Sequence, residues 1–439
     1  MNLKRFSLIV SLLLGVAIGQ GRAEVQSRAE RGAKSTEASE WTEDEGDFES
    51  WFEDGTLRLD YDFAGNAAEQ HIALDELKKM PRWYGKRKRL AEVPMHGNGQ
   101  IMVMDHASGR VIYRNSFSTL FQEWLSYPEA QTTSRSFENV FLVPMPKDTV
   151  EVRIELYDNR GEVTASLTHM VAPKDILIRR IGEKDVCPYE TLSTASDTSN
   201  CIHVAFVAEG YTKDEMGLFM EDARAAQEAI FSHEPFKSRK DRFNVVAVKS
   251  ASEESGTSEP DKGIWRRTAL GSNFDTFYSD RYLTTLHLKD LHDLLAGVPY
   301  EHIVILVNTP EYGGGGILNS YNLSMTHHKM FKPVVVHEFG HSFAGLADEY
   351  AYENEAIPLY PHDIEPWEKN ITTKVDFKGK WEDLIGKDPE AGFFEGAGYS
   401  LNGIWRGYED CRMRTNTYPD FCPVCRRAIA EVIEFYTGE

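Results

Sequence analysis

The sequence predicts a mixed α+β protein, in which an N-terminal antiparallel β-sandwich precedes a domain of α/β character with a mixed sheet packed by helices. Three observations carry that expectation. Between about residues 48 and 175 the apolar residues fall in short alternating runs ("TLRLDYDF", "GQIMVMD", "GRVIYRN", "ENVFLVPM", "TVEVRIELYD", "VTASLTH") separated by turn sequences such as "HASGR" and "DNRGE". This is the period-two pattern of half-buried strands. After Cys201 the buried-looking strands "CIHVAFVAEGY", "FNVVAVKS" and "HIVILVN" alternate with the helically spaced "KDEMGLFMEDARAAQEAIFS" and "YLTTLHLKDLHDLLAG". Finally, "PVCRRAIAEVIEFYTG" near the end is amphipathic and opened by Pro423, whose missing N–H would be unpaired in a first helical turn anyway.

The elements ahead of the sandwich read differently. Residues 1–23 carry Lys4 and Arg5, then an apolar run from Phe6 to Ile18 and small residues around Gly19 and Ala23, the layout of a signal peptide. The run is short for a bilayer span, and no other window approaches that length, so no integral membrane segment is expected after its removal. Residues 24–47 are charged and small and read as a flexible leader. The expectation is an exported protein, periplasmic, cell-surface or extracellular. The sandwich is expected over 48–175 and the second domain over 176–439. With 69 acidic against 48 basic side chains and a net charge of -21, the chain repels phosphate backbones and anionic lipid, which argues against nucleic acid as a partner. Nothing in the sequence speaks to oligomeric state.

Five cysteines fit sparse use of an oxidising compartment. Cys187 and Cys201 bracket a polar Ser/Thr segment and look like a loop closed by a disulfide. Cys411, Cys422 and Cys425 form an odd set: a disulfide from Cys411 to Cys422 or Cys425, or a cysteine-rich structural zinc site that needs a fourth ligand.

The chemistry concentrates in "VVVHEFGHSFAGLADEY", residues 334–350. His337 and His341 stand four apart, one helical turn on the same face, so both imidazoles reach one ion. Catalytic zinc takes three protein ligands and leaves one position open. Glu338 follows the first histidine and sits beside such an ion rather than on it, where a carboxylate accepts a proton from water. Gly345 ends the helix and turns the chain back, which brings Asp348 and Glu349 into range as alternative third ligands. Two further features are left open. The run Gly313, Gly314, Gly315 and Gly316 is either a strand edge that lets a substrate backbone approach or a flexible loop. Tyr350, Tyr399 and Tyr418 are alternative donors to an oxyanion, with aromatic packing as the plainer role for each. His327 and His328 are more naturally solvent-facing than ligands.

"VAEGYT" (207–212), "YGGGG" (312–316), "HEFGHSFAGLADEY" (337–350) and "CRMR" with "FCPVC" (411–425) together resemble the IgA-protease-type zinc metallopeptidases. Their motif is similar to the HExxHxxGxxH pattern of the metzincin zinc proteases, here as HExxHxxxGxxD. The resemblance implies a metzincin-like zincin domain after a β-sandwich, Zn2+ held by His337, His341 and Asp348, and Glu338 as general base. Glu349 remains the alternative ligand. It also implies Met413 in a turn beneath the metal and an extended protein or peptide substrate along a strand edge. The competing readings are a zinc-containing binding or adhesion protein and a hydrolase of a non-peptide amide.

Overall fold

A computed structural model describes residues 47–353 and 359–438. The expected signal peptide and all but the last residue of the leader lie outside the described residues. The described residues belong to one compact unit.

The N-terminal part is built from two four-stranded sheets. After a single turn, α1 (Phe48–Trp51), come β1 (Phe52–Gly65), β2 (Gln70–Met80), β3 (Gly99–Asp105), β4 (Val111–Phe117), a short helix α2 (Leu120–Trp124), β5 (Arg135–Pro146), β6 (Val150–Tyr157), β7 (Val163–Val171) and β8 (Arg179–Arg180). The sheet orders are β5-β1-β2-β8 and β4-β3-β6-β7, antiparallel throughout except for the parallel β2–β8 pair. In β6 the alternation is complete: Val150, Val152, Ile154 and Leu156 are buried while their neighbours are half-exposed. These residues meet Leu57, Leu59, Tyr61 and Phe63 of β1 and Ile101 and Val103 of β3 in one core. The run of short alternating segments is therefore an N-terminal β domain with one apolar face per sheet.

The second part is organised by a six-stranded mixed sheet. Its elements are β9 (Tyr189–Ser193), β10 (Ile202–Glu209), α3 (Met216–Ile230), β11 (Phe243–Val248), α4 (Leu288–Leu294), β12 (His302–Val307), β13 (Gly314–Ile317), β14 (Tyr321–Met325) and α5 (Phe331–Ala344). A three-stranded sheet of β15 (Ile371–Thr372), β16 (Phe394–Ala397) and β17 (Ser400–Arg406) follows, then α6 (Pro423–Thr437). The six strands run in the order β13-β14-β12-β10-β11-β9, with a parallel centre and an antiparallel strand at each edge. Alternate residues of the centre go to opposite cores. Ala205, Val207, Val246, Val248, Ile303 and Ile305 join the core of the β domain, whereas Val204, Phe206, Val245, Ala247, Val304 and Leu306 pack with α3, α5 and α6. Burial on both faces is why these strands read as continuous apolar runs.

One expected helix is shorter than its sequence pattern. "YLTTLHLKDLHDLLAG" is helical only from Leu288, because Tyr282 and Thr284 make bridges to Gly314 and Asn273 instead. Among the described residues no helix is long and apolar enough to cross a membrane.

Charge also fastens the two parts together. Arg58 on β1 is wholly buried and pairs with Asp60 at 2.6 Å and with Asp293 on α4 at 2.6 Å, and it donates to the Lys289 carbonyl at 3.1 Å. Lys78 joins the same acids, 3.0 Å from Asp60 and 2.9 Å from Asp293. Removing the guanidinium leaves the buried Asp60 carboxylate with Lys78 alone, so Arg58→Ala is expected to lower the unfolding free energy by about 3–5 kcal/mol in a denaturant titration. A change within experimental error would show that the network is not what joins β1 to α4.

Candidate metal centre

Helix α5 is held by its surroundings more than by propensity. Val334, Val335 and Val336 are poor helix formers, yet all three are buried, as are Phe331, Phe339 and Phe343. Gly345 closes the helix in the left-handed region at φ 57°, with its N–H on the helix's last carbonyls. Leu346 N–H returns to the Gly340 carbonyl at 3.2 Å. The chain that leaves is then pinned on both sides. Asn370 bonds the N–H and the carbonyl of Ala347 at 2.8 Å each, Gly398 N–H reaches the Asp348 carbonyl at 2.9 Å, and Glu349 N–H the Met413 carbonyl at 2.8 Å.

This places three ligand atoms around one point. His337 Nε2 and His341 Nε2 are 3.0 Å apart, and Asp348 Oδ1 lies 3.0 Å from the first and 3.3 Å from the second. Nitrogen or oxygen donors about 2.0–2.1 Å from a tetrahedral zinc stand about 3.3 Å from one another, so the spacing fits. The Nδ1 atoms settle the lone pairs. His337 Nδ1 donates to the Arg412 carbonyl at 2.9 Å and His341 Nδ1 to the Leu346 carbonyl at 2.5 Å, which leaves each Nε2 as an acceptor. Asp348 Oδ1 is buried and accepts no well-aligned hydrogen bond. Its other oxygen takes the Tyr399 hydroxyl. Two imidazole nitrogens and a carboxylate oxygen without a well-aligned donor, all facing a common point, suit a shared cation. Glu349, the alternative ligand, points elsewhere, with its Oε1 3.0 Å from Cys425 Sγ.

Electrostatics follows the same geometry. Burial works to raise Asp348, but the two histidines prevail and hold it far below the usual carboxylate range. Burial works against charge on His341 as well, and Asp348 prevails there, pushing it up to about 9. Burial pushes Glu338 above the ordinary range, with Asp348 adding and the histidines opposing. Its carboxylate lies within 4.8 Å of a ring nitrogen of both histidines.

Beneath the helix, Met413 is fully buried in a turn closed by Arg414 N–H to the Cys411 carbonyl at 2.9 Å. A Cβ on Gly340 would stand 2.8 Å from its sulfur, so the glycine of HEFGH lets the methionine approach. The glycine run has a comparable cause. Gly314, Gly315 and Gly316 lie in the edge strand β13. A Cβ on Gly316 would meet the Glu338 carbonyl at 2.3 Å, one on Gly313 the Phe274 ring at 2.5 Å, and one on Gly315 the Tyr282 ring at 3.0 Å. The backbone that demands glycine is first of all that of α5. The tract is therefore an ordered strand rather than a flexible loop.

A cleft of about 1310 Å³ opens over the centre, lined by Gly314, Gly316, Glu338, Asp348 and Tyr350 among others. Its opposite wall comes from the β domain, in which sequence reasoning finds no functional group. Glu123 of α2 lines it, pushed up to about 7 by burial and hydrogen-bonded by the Tyr282 hydroxyl at 2.5 Å. No local signal in "STLFQEW" marks this residue; only the tertiary packing brings it there.

The remaining candidates scatter. His327 pairs with Asp222 at 3.0 Å and His328 packs edge-on to Tyr312. Tyr399 is committed to Asp348, and Tyr418 is not among the cleft residues. Cys187 and Cys201 are not joined; both thiols are free. Cys201 Sγ instead accepts from Asn244 Nδ2 at 2.9 Å, and Cys187 packs at the edge of the core shared with the β domain.

Residues 191–391 and 386–433 match the family described as IgA Peptidase M64. Residues 47–168 match the description Peptidase M64 N-terminus. No curated protein matches the chain. The first two segments run together over more than half of the sequence and include the histidines, Asp348 and Met413. The family is one of metallopeptidases, which act on proteins or peptides, and the centre described above is of the kind that such enzymes need. The chain belongs to the IgA peptidase M64 family.

Proposed function

We propose that the protein is an exported zinc-dependent endopeptidase of metzincin-like architecture. The observation that carries this reading is the convergence of His337 Nε2, His341 Nε2 and Asp348 Oδ1 within 3.3 Å, open to a cleft and with Glu338 alongside. When bound, a zinc ion lowers the pKa of a water towards about 7 and polarises the scissile carbonyl. Three protein ligands leave the fourth position for that chemistry.

The chain's own groups then have distinct tasks. Glu338 accepts a proton from the attacking water and delivers it to the leaving amine; a carboxyl raised by burial carries it well. His337 and His341 are oriented by the Arg412 and Leu346 carbonyls, and Asp348 by the Tyr399 hydroxyl. Met413 serves as the apolar floor. Tyr350, which lines the cleft, is the tyrosine assigned here to donate to a developing oxyanion. The substrate lies extended along β13, where backbone groups beyond the Tyr282–Gly314 bridge pair with it as an added strand. Export follows from the signal-like residues 1–23, with the periplasm, the cell surface and the medium as destinations.

Glu338→Gln is expected to retain its metal while cleavage of an unstructured protein mixture, read by fragment mass spectrometry, falls roughly 10²–10⁴-fold. Wild-type cleavage by this variant would remove Glu338 from the mechanism. Asp348→Ala is expected to lose the ion of this centre in elemental analysis; full retention would contradict the ligand assignment. Gly316→Ala, whose methyl would meet the Glu338 carbonyl at 2.3 Å, is expected to destabilise the protein by about 1–3 kcal/mol in thermal unfolding. Gly217→Ala, in α3 with open space around it, is the control and is expected to be neutral or slightly stabilising.

A further inference from the structure

Directly behind Asp348, four groups that the proposed chemistry does not use meet in the core. Glu349 points away from the histidines towards Cys411, Cys422 and Cys425, and one ligand-competent atom of each of the four lies within 4.8 Å of all the others. All four residues are 2% exposed or less. Cys411 Sγ and Cys425 Sγ are 3.7 Å apart. Two thiolates on a tetrahedral zinc, each at about 2.3 Å, stand about 3.8 Å apart.

The carboxylate supplies an independent observation. Glu349 Oε1 accepts from Asn370 Nδ2 at 3.0 Å, but Oε2 is buried and has no hydrogen-bond partner. A buried carboxylate oxygen without a donor is unfavourable unless a cation meets it. The Cys422 N–H donates to Cys411 Sγ at 3.1 Å, an arrangement that steadies a thiolate. Arg406 and Arg412, both buried, interact electrostatically with Glu349 and Cys411 respectively and offset negative charge left on the cluster. Three sulfurs and one carboxylate oxygen form a closed set of four ligands, and closure distinguishes a structural zinc site from a catalytic one.

We propose that Cys411, Cys422, Cys425 and Glu349 bind a second, structural divalent ion of the zinc class. The thiols bind as thiolates and release their protons to solvent as the ion enters. The ion joins three segments that the catalytic centre needs: the irregular segment after α5 that carries Asp348, the turn carrying Met413, and the first turn of α6. Glu349 N–H already bonds the Met413 carbonyl at 2.8 Å, and the Arg412 carbonyl in that turn orients His337 at 2.9 Å. The second ion thereby holds the first ion's ligands in register.

The test is metal counting and cobalt spectroscopy on the full chain, purified without chelator. Two zinc ions per chain are expected, falling to one in Asp348→Ala, which leaves the cysteine cluster intact. The cobalt-substituted chain is expected to show intense thiolate-to-cobalt charge-transfer absorption, retained in Asp348→Ala and lost in Cys425→Ser. Because that band reports thiolate ligation alone, it reads this site whether or not the protein cleaves anything. Absence of the band from cobalt-loaded wild type would overturn the proposal, as would a disulfide between any two of the three cysteines in a non-reducing peptide map.

Discussion

Three acceptor atoms aimed at one point are the constraint on which the catalytic half of this protein depends. Each imidazole has spent its Nδ1 proton on a backbone carbonyl, and Asp348 brings a carboxylate oxygen without a hydrogen-bond donor. A fold does not hold such a set together by its own attractions, so the surrounding structure must. The left-handed turn at Gly345, the double bond from Asn370 to Ala347 and the bond between Glu349 and Met413 each fix one side of the returning chain. Tyr399, held at φ 66°, places its hydroxyl on the carboxylate. Conformations of that kind persist where packing over-determines them.

The six-stranded sheet supplies the rigidity behind this arrangement. Its central strands are buried on both faces, so they cannot shift without disturbing two cores at once. One face positions α5 and with it both histidines; the other receives the β domain, whose helix α2 brings Glu123 to the far wall of the cleft. The β domain is therefore part of the cleft and not merely an appendage to it. Charge pairing from Arg58 and Lys78 to Asp293 secures the same junction.

Much of this was legible in the residues, where a local rule applies. Alternation disclosed the strands of the β domain, and continuous apolar runs disclosed β10, β11 and β12. The spacing of His337 and His341 on a helix needs only the helical period, whereas the two acids after Gly345 part only in the fold, where Asp348 faces the histidines and Glu349 faces Cys425. What escaped depends on distant contacts. Tyr282 leaves a helical pattern because Gly314 takes its backbone. Glu123 carries no signature in its neighbourhood. The glycines of β13 are required by the close approach of α5, which no sequence run reveals. Cys411, Cys422 and Cys425 formed an odd set until the fold supplied Glu349 from 62 residues before Cys411, whereas the expected pairing of Cys187 with Cys201 rested on proximity in sequence alone.

The measurement that most directly tests the central claim is an anomalous difference map recorded at the zinc edge from crystals of the full chain. The account predicts a peak bonded by His337 Nε2, His341 Nε2 and Asp348 Oδ1, each at about 2.0–2.2 Å, with Glu338 beside it and not on it. Crystals grown with zinc that show no peak among these three atoms, or a peak that Glu338 ligates in place of Asp348, would contradict it.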